Sequence, residues 1–483
     1  MLLRLAIVRI LLLTGLLSWA AFSCAAAHPD NELSPDGVPQ RLVLAVDGVP
    51  YGLFAELQQQ GYFAAFRPVA RMVAPFPSLS DVSFAAIGGN TPPAGYQVMR
   101  FDPISNRVVG NNLRSLSSQA HGNLPADSDP HTSWHRMIGY VAPYHVALRD
   151  LDQIGDELLE SHKATFVGYL DQSDALLHVE GRQGAIRFLL KLDRFLADLQ
   201  ATVRARTGRE LLVDIVSDHG STLVKGRNVR LDKQLRSCGF RRRSRIEADT
   251  DVGYSLAGII GSVAINARPA RVDEVGRCLA GADGVDLVAI AQGDRVTVLS
   301  SSGEEAELWP TPDTTEAYSY HNLRGDPLRL LGSDAASGTR SFAEEELFAR
   351  TADAPYPDPL RRLWRAFHGA VQEPTPILVS LKDGREAAFR TVRALAAVRG
   401  RAGTHGSISR ASSLGVYTSN WRDVADTDCW RVNEALFGQA THEALAQRAS
   451  TWPTANTPIT NRQSLPTPAH GHSGGPRAAV RGQ

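Results

Sequence analysis

Three largely apolar segments that each lead to an acidic residue restrict the fold of this chain more than any other feature. The segments cover residues 41–46, 164–170 and 210–216. They lead to Asp47, to Asp171 and Asp174, and to Asp218. Apolar runs of this length are typical of parallel strands buried on both faces, and helical patterns such as 185–202 accompany them. The sequence therefore predicts an α/β fold, with a mostly parallel central sheet and helices on both faces.

The acidic residues at the ends of these segments predict where a ligand binds. In an open α/β sheet, ligands bind beyond the carboxyl ends of the parallel strands. The three predicted strands end at the same edge of the sheet, so we expect their acidic side chains to lie close together there.

The overall composition is that of a folded, globular protein. Hydrophobic residues make up 43% and charged residues 21% of the 483 residues, which argues against a disordered or fibrous chain. Lys and Arg together number 51, as do Asp and Glu together. This balance gives no indication of binding to nucleic acid or to an anionic membrane surface, so any electrostatic attraction of a partner has to be local.

The N-terminus has the pattern of an export signal. Arg4 and Arg9 precede an apolar run over 10–22, and small residues follow it. We predict a signal peptide over 1–27, a polar linker over 28–40, and a periplasmic or secreted protein.

Two processing sites compete within this signal. Acylation at Cys24 would give a membrane-anchored lipoprotein, whereas cleavage after Ala27 would give a free protein. No later segment is long and apolar enough for a membrane span, so we expect the mature protein to be soluble or lipid-anchored.

The middle of the chain has the pattern of an inserted module. Residues 230–347 combine short strands and a helix with a hairpin-like pair of strands at 286–290 and 295–299. We interpret this part as a small α+β cap.

The catalytic core is assigned to the sequence on either side of this cap. Its two parts cover 41–229 and 348–449, and the second part includes a predicted strand at 376–380. Pro, Thr, Ser and Gly are frequent over 450–483, where we expect a disordered tail.

Cysteines do not organise this fold. Beyond the predicted signal peptide the chain has only Cys238, Cys278 and Cys429, so at most one disulfide can form among them. None of the three has CxxC spacing, and a thiolate metal site is therefore not expected.

Two pairs of carboxylate and imidazole side chains are candidate metal ligands. Asp174 and His178 are four residues apart, a spacing that places both on one face of a helix. Asp218 and His219 follow a predicted strand and precede Gly220, so they lie on a turn at the edge of the sheet. Read singly, the first pair is more often a surface pair on a helix, and Asp218 can instead cap the next helix.

Asp47 and His405 are further candidate ligands. Asp47 ends the first predicted strand, where an aspartate serves equally often as a turn or N-cap residue. His405 lies between small residues that allow a close approach of the backbone to a ligand, although a lone histidine is usually structural.

Ser80 is the candidate nucleophile. Two prolines precede it, and it can cap a helix that runs from Asp81 toward Ile87. The N-terminus of a helix favours a phosphate group, because its free N–H groups and its dipole attract an anion. An ordinary N-cap serine is the alternative, and Ser78 and Ser83 are competing candidates.

The order of these residues resembles that of a known family. The succession, Asp47, Ser80, Asp174, His178, Asp218, His219 and His405, is similar to that of the alkaline phosphatase superfamily. Within the superfamily it is most similar to the type I phosphodiesterases and nucleotide pyrophosphatases. The resemblance covers about residues 41–222 and 403–412, with a variable insertion between them.

The resemblance implies two divalent metal ions, for which Zn²⁺ is the first choice and Mn²⁺ an alternative. One ion would bind Asp174, His178 and His405. The other would bind Asp47, Asp218, His219 and the Ser80 oxygen. Carboxylate and imidazole ligands suit these ions, and two such ions can divide the work of an in-line displacement.

Three positions depart from the pattern of the phosphodiesterase branch. Ser80 stands where the branch usually has Thr. The branch also has an Asn that binds a phosphate oxygen, and here no Asn follows Ser80 until Asn90, so Ser83, Asn90 or a cap residue could supply that donor. Leu177 replaces the glycine that commonly precedes the first histidine ligand. These departures leave open the choice between phosphate monoesters and diesters.

The sequence thus predicts an exported two-metal hydrolase of phosphate esters that forms a phosphoseryl intermediate on Ser80. Its partner is a small phosphate ester, and the number of subunits is not predicted. The alternatives are transfer of a phosphoryl or headgroup to an alcohol, and a metal-stabilised binding protein without turnover. Sulfatase chemistry is disfavoured because the required Cys/Ser-x-Pro-x-Arg motif is missing, and the cytoplasmic mutases of this superfamily are disfavoured by the signal peptide.

Overall fold

The computed structural model describes most of the chain. It covers residues 41–110, 124–128, 142–256, 258–312, 316–332, 337–388 and 402–451. The predicted signal peptide and linker, and the predicted tail from residue 452 onward, lie outside the described residues.

The described residues form twenty strands, eleven α-helices and one 3-10 helix, Pro269–Arg271. The strands are β1 (Arg41–Val46), β2 (Ala70–Val73), β3 (Arg100–Asp102), β4 (Arg107–Val109), β5 (Thr165–Leu170), β6 (Leu212–Val216), β7 (Arg227–Asn228), β8 (Arg241–Arg243), β9 (Asp251–Gly253), β10 (Ile259–Ile260), β11 (Ser262–Ala267), β12 (Val285–Gln292), β13 (Arg295–Ser300), β14 (Glu305–Pro310), β15 (Ala317–Arg324), β16 (Gly338–Ala343), β17 (Ile377–Leu381), β18 (Arg385–Ala388), β19 (Leu414–Ser419) and β20 (Thr427–Asp428). The helices are α1 (Tyr51–Gln59), α2 (Ser80–Ile87), α3 (Pro143–Glu160), α4 (Gln172–Thr207), α5 (Leu231–Ser237), α6 (Val272–Ala280), α7 (Glu344–Thr351), α8 (Pro359–Phe367), α9 (Arg410–Ser413), α10 (Arg431–Phe437) and α11 (Gln439–Thr451).

A six-stranded sheet forms the first half of the fold, in the order β20-β2-β19-β6-β1-β5. Strand β1 pairs in parallel with both β5 and β6, and only β19 runs against its neighbours. Alternate side chains of β1 point to opposite faces, so Leu44 packs among helices α1, α3 and α4, and Val43 packs against α2 and α10. The predicted mostly parallel sheet with helices on both faces is confirmed.

A second, larger sheet has nine strands in the order β16-β15-β14-β13-β12-β17-β11-β9-β8. Strands β12 and β13 pair as the predicted antiparallel hairpin. Strand β17 lies between β11 and β12 and pairs with both in antiparallel fashion. The sequence assigned this strand to the second part of the catalytic core, and the structure places it in the nine-stranded sheet. An apolar run such as Ile377–Leu381 fits the interior of either sheet, so its sequence does not specify its neighbours.

The nine-stranded sheet has more strands than the central one. Helix α8 belongs to the same apolar cluster as strands β12, β13 and β14. The residue limits of the predicted modules stay predictions.

Helix α4 changes direction at Gly181, whose φ of 61° and ψ of −148° are not helical. A Cβ atom at this position would lie 2.6 Å from the Cβ atom of Ala402, so only glycine fits there without displacement. The segment before Gly181 is short and carries Asp174 and His178.

Cys238 and Cys278 form a disulfide between the ends of helices α5 and α6, and Cys429 is a buried free thiol. This agrees with the prediction of at most one disulfide among the three cysteines. None of the described helices combines the length and the apolar composition needed to cross a lipid bilayer.

We expect the double substitution Cys238→Ser and Cys278→Ser to lower the free energy of unfolding by about 2–4 kcal/mol, because the disulfide restricts the unfolded chain. Guanidinium denaturation followed by circular dichroism measures this change. Dithiothreitol should lower the wild-type stability to that of the variant and leave the variant unchanged. A wild-type midpoint that does not respond to the reductant would contradict the disulfide.

Candidate metal centre

The structure brings together all seven side chains that the sequence singled out. Asp47 follows β1, and Asp218 and His219 follow β6, at the carboxyl ends of parallel strands. The others lie on adjoining elements: Asp174 and His178 at the start of α4, Ser80 at the start of α2, and His405 in the segment before α9.

Ser80 lies between Asp47 and His219. Its hydroxyl donates a hydrogen bond to Asp47 Oδ1 at 3.2 Å, and it lies 3.2 Å from His219 Nε2. The same imidazole nitrogen lies 3.2 Å from Asp218 Oδ2. Four of the seven side chains therefore surround one small space.

Asp174 organises the other side of the centre. Its Oδ2 lies 3.1 Å from His178 Nε2, and its Oδ1 lies 3.8 Å from His405 Nε2. The ring of His405 stacks on that of His219, with centroids 3.9 Å apart. The two sides of the centre are thus in contact through these two imidazoles.

Two groups of three residues could each hold a metal ion within the described part of the chain. One group is Asp47, Asp218 and His219, as the resemblance implies. The other is Asp174, His405 and His219, with His219 where the resemblance implies His178. His178 remains in contact with Asp174, so three imidazoles are available to two ions.

The backbone orients all three imidazoles in the same way. Each Nδ1 lies 2.9 Å from a carbonyl oxygen, which belongs to Gly403 for His178, to Gly220 for His219 and to Ser78 for His405. A carbonyl acceptor fixes the proton on Nδ1 and leaves the lone pair of Nε2 free. Metal-binding histidines typically have this arrangement.

The carboxylates also fit a cation. Gly48 N–H donates to Asp218 Oδ1 at 2.9 Å, whereas Asp218 Oδ2 and Asp174 Oδ1 are buried and accept no hydrogen bond from the described residues. A buried carboxylate oxygen without a donor is costly unless a cation neutralises it. The donor set therefore fits divalent ions such as Zn²⁺ or Mn²⁺.

The pKa values reflect this crowding of like charges. Burial, together with the nearby Asp218 and Asp174, raises the pKa of Asp47 well above its ordinary value. Burial raises the pKa of Asp218 to about 7. Burial and the stacked His219 lower the pKa of His405 to about 3, so its imidazole is neutral, as a metal ligand has to be.

The three candidate serines differ in their surroundings. Leu79 is the N-cap of α2 and Ser80 is its first residue, so the interpretation of Ser80 as the cap was wrong by one position. Its hydroxyl is therefore available to the centre. Ser78 is fully buried and donates to the Ser407 carbonyl at 3.0 Å, and Ser83 is fully buried as well.

Sequence reasoning missed Tyr169, whose hydroxyl donates to Asp47 Oδ2 at 2.7 Å. Within an apolar strand this tyrosine is indistinguishable from a core residue. It also missed Arg362 on α8, a buried guanidinium that donates to the Pro75 carbonyl and to the hydroxyls of Ser78 and Ser413. Only the folded chain reveals these supports. Gly48 could have been noticed, since Asp-Gly after a strand is a turn signal.

Comparison with known proteins finds similarity at the level of solved structures. No family model and no curated protein matches the chain. The chain is similar to murine ectonucleotide pyrophosphatase/phosphodiesterase 5. That comparison has a TM-score of 0.45 and 13% identity, and covers 84% of this chain and 95% of the murine one.

Two related structures give the same result. The human ectonucleotide pyrophosphatase/phosphodiesterase 5 has a TM-score of 0.45 and 12% identity over 84% of this chain and 95% of that one. An inactive variant of the murine protein, in complex with AMP, has a TM-score of 0.45 and 12% identity over 82% and 94%.

We expect Gly48→Ala to lower the affinity for Zn²⁺ at least tenfold. Gly48 has a φ of +72°, and an added Cβ would lie 2.8 Å from Asp174 Oδ1, so the carboxylate has to move. Disturbing a group that holds a metal ligand in place typically lowers metal affinity by about 10–100-fold. Competition with a chromophoric chelator measures the affinity.

Gly208→Ala is the matched control. Gly208 has nearly the same φ of +71°, with nothing within 4 Å of an added Cβ, so this variant carries the backbone strain alone. Equal losses of affinity in both variants would show that strain, and not the displacement of Asp174, is responsible.

Proposed function

We propose that this protein is a metal-dependent hydrolase of phosphate esters that acts through a phosphoseryl intermediate on Ser80. One observation carries the proposal: the Ser80 hydroxyl lies 3.2 Å from both Asp47 Oδ1 and His219 Nε2, inside a cluster of carboxylates and imidazoles. A serine in these surroundings differs from a serine that caps a helix or packs in a core.

Two divalent ions, Zn²⁺ or Mn²⁺, would be held by the six carboxylates and imidazoles of the centre. When bound, such ions supply positive charge that lowers the pKa of a coordinated hydroxyl and stabilises the charge of the displacement. The buried, unpaired oxygens of Asp174 and Asp218 support this assignment, because they lack any other positive partner within hydrogen-bond distance.

Ser80 would act as the nucleophile. Its oxygen forms a bond to phosphorus while the bond from phosphorus to the leaving alcohol breaks, and the alcohol takes up a proton from water. Asp47 Oδ1 accepts the hydrogen bond of the Ser80 hydroxyl and can receive its proton. The hydroxide left by that water then attacks phosphorus, and the bond from phosphorus to the Ser80 oxygen breaks. Phosphate or a phosphate monoester is released, and Asp47 returns the proton to Ser80.

Tyr169 would orient Asp47 during this sequence. Its hydroxyl donates a hydrogen bond to Asp47 Oδ2, so Asp47 Oδ1 is the oxygen that faces Ser80. The N-terminus of α2, where Ser80 begins the helix, would attract the negative charge of the substrate phosphate.

We expect Ser80→Ala to lower kcat on nitrophenyl phosphate esters by on the order of 10³-fold or more, because loss of a nucleophile removes a whole covalent step. Ser83→Ala is the matched control, since Ser83 lies on the same helix and its hydroxyl makes no hydrogen bond to the described residues. Zn²⁺ content should be measured for both variants, so that a lost nucleophile is distinguished from a lost metal.

A panel of monoesters, diesters and phosphonates, assayed with Zn²⁺, Mn²⁺ and a chelator, defines the substrate class. Activity that survives both chelation and Ser80→Ala would overturn the mechanism. Transfer of the phosphoryl group to an added alcohol in preference to water would favour the transferase alternative. Tight Zn²⁺ binding without turnover on any ester would favour the non-catalytic binding protein.

We also propose that the chain is exported, either as a lipoprotein acylated at Cys24 or as a free protein cleaved after Ala27. The Cys238–Cys278 disulfide supports this, because disulfides persist in oxidising compartments. We expect mass spectrometry of the periplasmic or membrane fraction to find a mature N-terminus at one of these two sites. A full-length chain with free thiols in the cytoplasm would exclude export.

A further inference from the structure

The chain has equal numbers of acidic and basic residues, but one stretch of it is strongly basic. Between residues 227 and 245, eight residues are Arg or Lys and only Asp232 is acidic. Seven of the eight cations are exposed, and we call them the basic surface: Arg227, Arg230, Lys233, Arg236, Arg241, Arg243 and Arg245. The metal centre uses none of them.

The fold keeps these cations on neighbouring elements. Strand β7, helix α5 and strand β8 follow one another along the chain, and the Cys238–Cys278 disulfide fixes the end of α5. On β8, Arg241 and Arg243 point to the same side, while Arg242 between them packs over the ring of Tyr254 at 4.5 Å. Strand β8 is an outer strand of the nine-stranded sheet, so no further described strand covers it.

The nearby acidic residues do not neutralise the basic surface. Asp232 accepts a hydrogen bond from the Tyr254 hydroxyl, and Asp249 pairs with Arg268 at 3.2 Å. Asp251 accepts hydrogen bonds from the backbone N–H groups of residues 247 and 248, and its carboxylate lies 3.8 Å from the Arg243 guanidinium. Glu247 is exposed. Within the described ranges, the other six cations of the basic surface form no ion pair.

Two simpler explanations account for only part of this pattern. Positive charge on an outer strand prevents it from pairing with another sheet, but this applies to β8 and not to Lys233 or Arg236 on α5. Exposed cations are also generally well solvated. The chain has equal numbers of acidic and basic residues, yet six exposed cations of the basic surface have no carboxylate partner. We therefore expect an anionic partner to bind there.

The chemistry of the basic surface favours a lipid surface over nucleic acid. Proteins that bind single-stranded nucleic acid alternate cations with exposed aromatic rings that stack on bases. Here the aromatic residues nearest in sequence and structure, Phe240 and Tyr254, are both buried. Guanidinium groups bind phosphate oxygens in bidentate fashion and need no base contacts. A single lipid anchor binds membranes stably only with a second signal, such as a basic patch.

We propose that the basic surface binds the phosphate headgroups of an anionic phospholipid bilayer and thereby holds the protein against a membrane. This inference does not depend on the metal centre or on the proposed hydrolysis. It would place the protein beside a membrane whether or not Cys24 is acylated.

The test is co-sedimentation of residues 28–483, which lack the acylation site, with lipid vesicles. One set of vesicles contains phosphatidylcholine alone, and the other also contains about 30% phosphatidylglycerol, which gives the vesicles a strong negative surface charge. We expect binding only to the anionic vesicles, and loss of binding at about 0.5 M NaCl because salt screens the charges. The triple substitution Arg241→Gln, Arg243→Gln and Arg245→Gln should weaken binding about 100-fold, or about fivefold for each cation removed.

A matched control removes three exposed cations elsewhere, from helix α4: Lys191→Gln, Arg194→Gln and Arg206→Gln. This variant loses the same total charge and should retain binding within about twofold to threefold. Equal weakening by both triple variants would overturn the proposal in favour of a net-charge effect. Equal binding to neutral vesicles, or tighter binding to an oligonucleotide than to anionic vesicles, would overturn it as well.

Discussion

Three carboxylates close together at one edge of the central sheet, two of them buried and one partly exposed, are the constraint on which the rest of this structure depends. Burial and the charges of Asp218 and Asp174 raise the pKa of Asp47, and burial together with Asp174 raises the pKa of Asp218. Such an arrangement is costly unless positive charge balances it. The three imidazoles do not supply that charge fully, since burial keeps His219 and His405 neutral. The cluster therefore favours metal ions as its natural counter-charge.

The neighbouring elements hold this cluster in place. Backbone carbonyls fix each imidazole, the Gly48 N–H group holds Asp218, and the Tyr169 hydroxyl holds Asp47. These supporting groups come from different parts of the chain, so the geometry of the centre depends on the whole edge of the central sheet. The same supports leave Ser80 as the one candidate serine whose hydroxyl faces the cluster.

Strand β10, which belongs to a separate three-stranded sheet with β18 and β7, contributes to the centre. Ile260 forms a β-bridge with His405, and the Thr404 hydroxyl donates to the Ile259 carbonyl at 3.2 Å. Arg362 on α8 joins the segment before Ser80 to the segment after His405 through hydrogen bonds to Pro75 and Ile408. The part of the chain that the sequence suggested as an insertion thus helps to position one candidate ligand, His405. Helix α8, which lies outside that insertion, holds the segment before the candidate nucleophile.

The sequence by itself determined the parallel strands β1, β5 and β6 and the position of the acidic side chains at their ends, because continuous apolar runs and strand ends are local patterns. The order of seven residues likewise predicted which side chains would meet. Tertiary structure alone decided which sheet contains Ile377–Leu381, which cysteines pair, and that Tyr169 and Arg362 support the centre. These outcomes depend on contacts between residues far apart in the chain. The sequence around an apolar strand, a cysteine or an arginine does not indicate which distant residue it will contact.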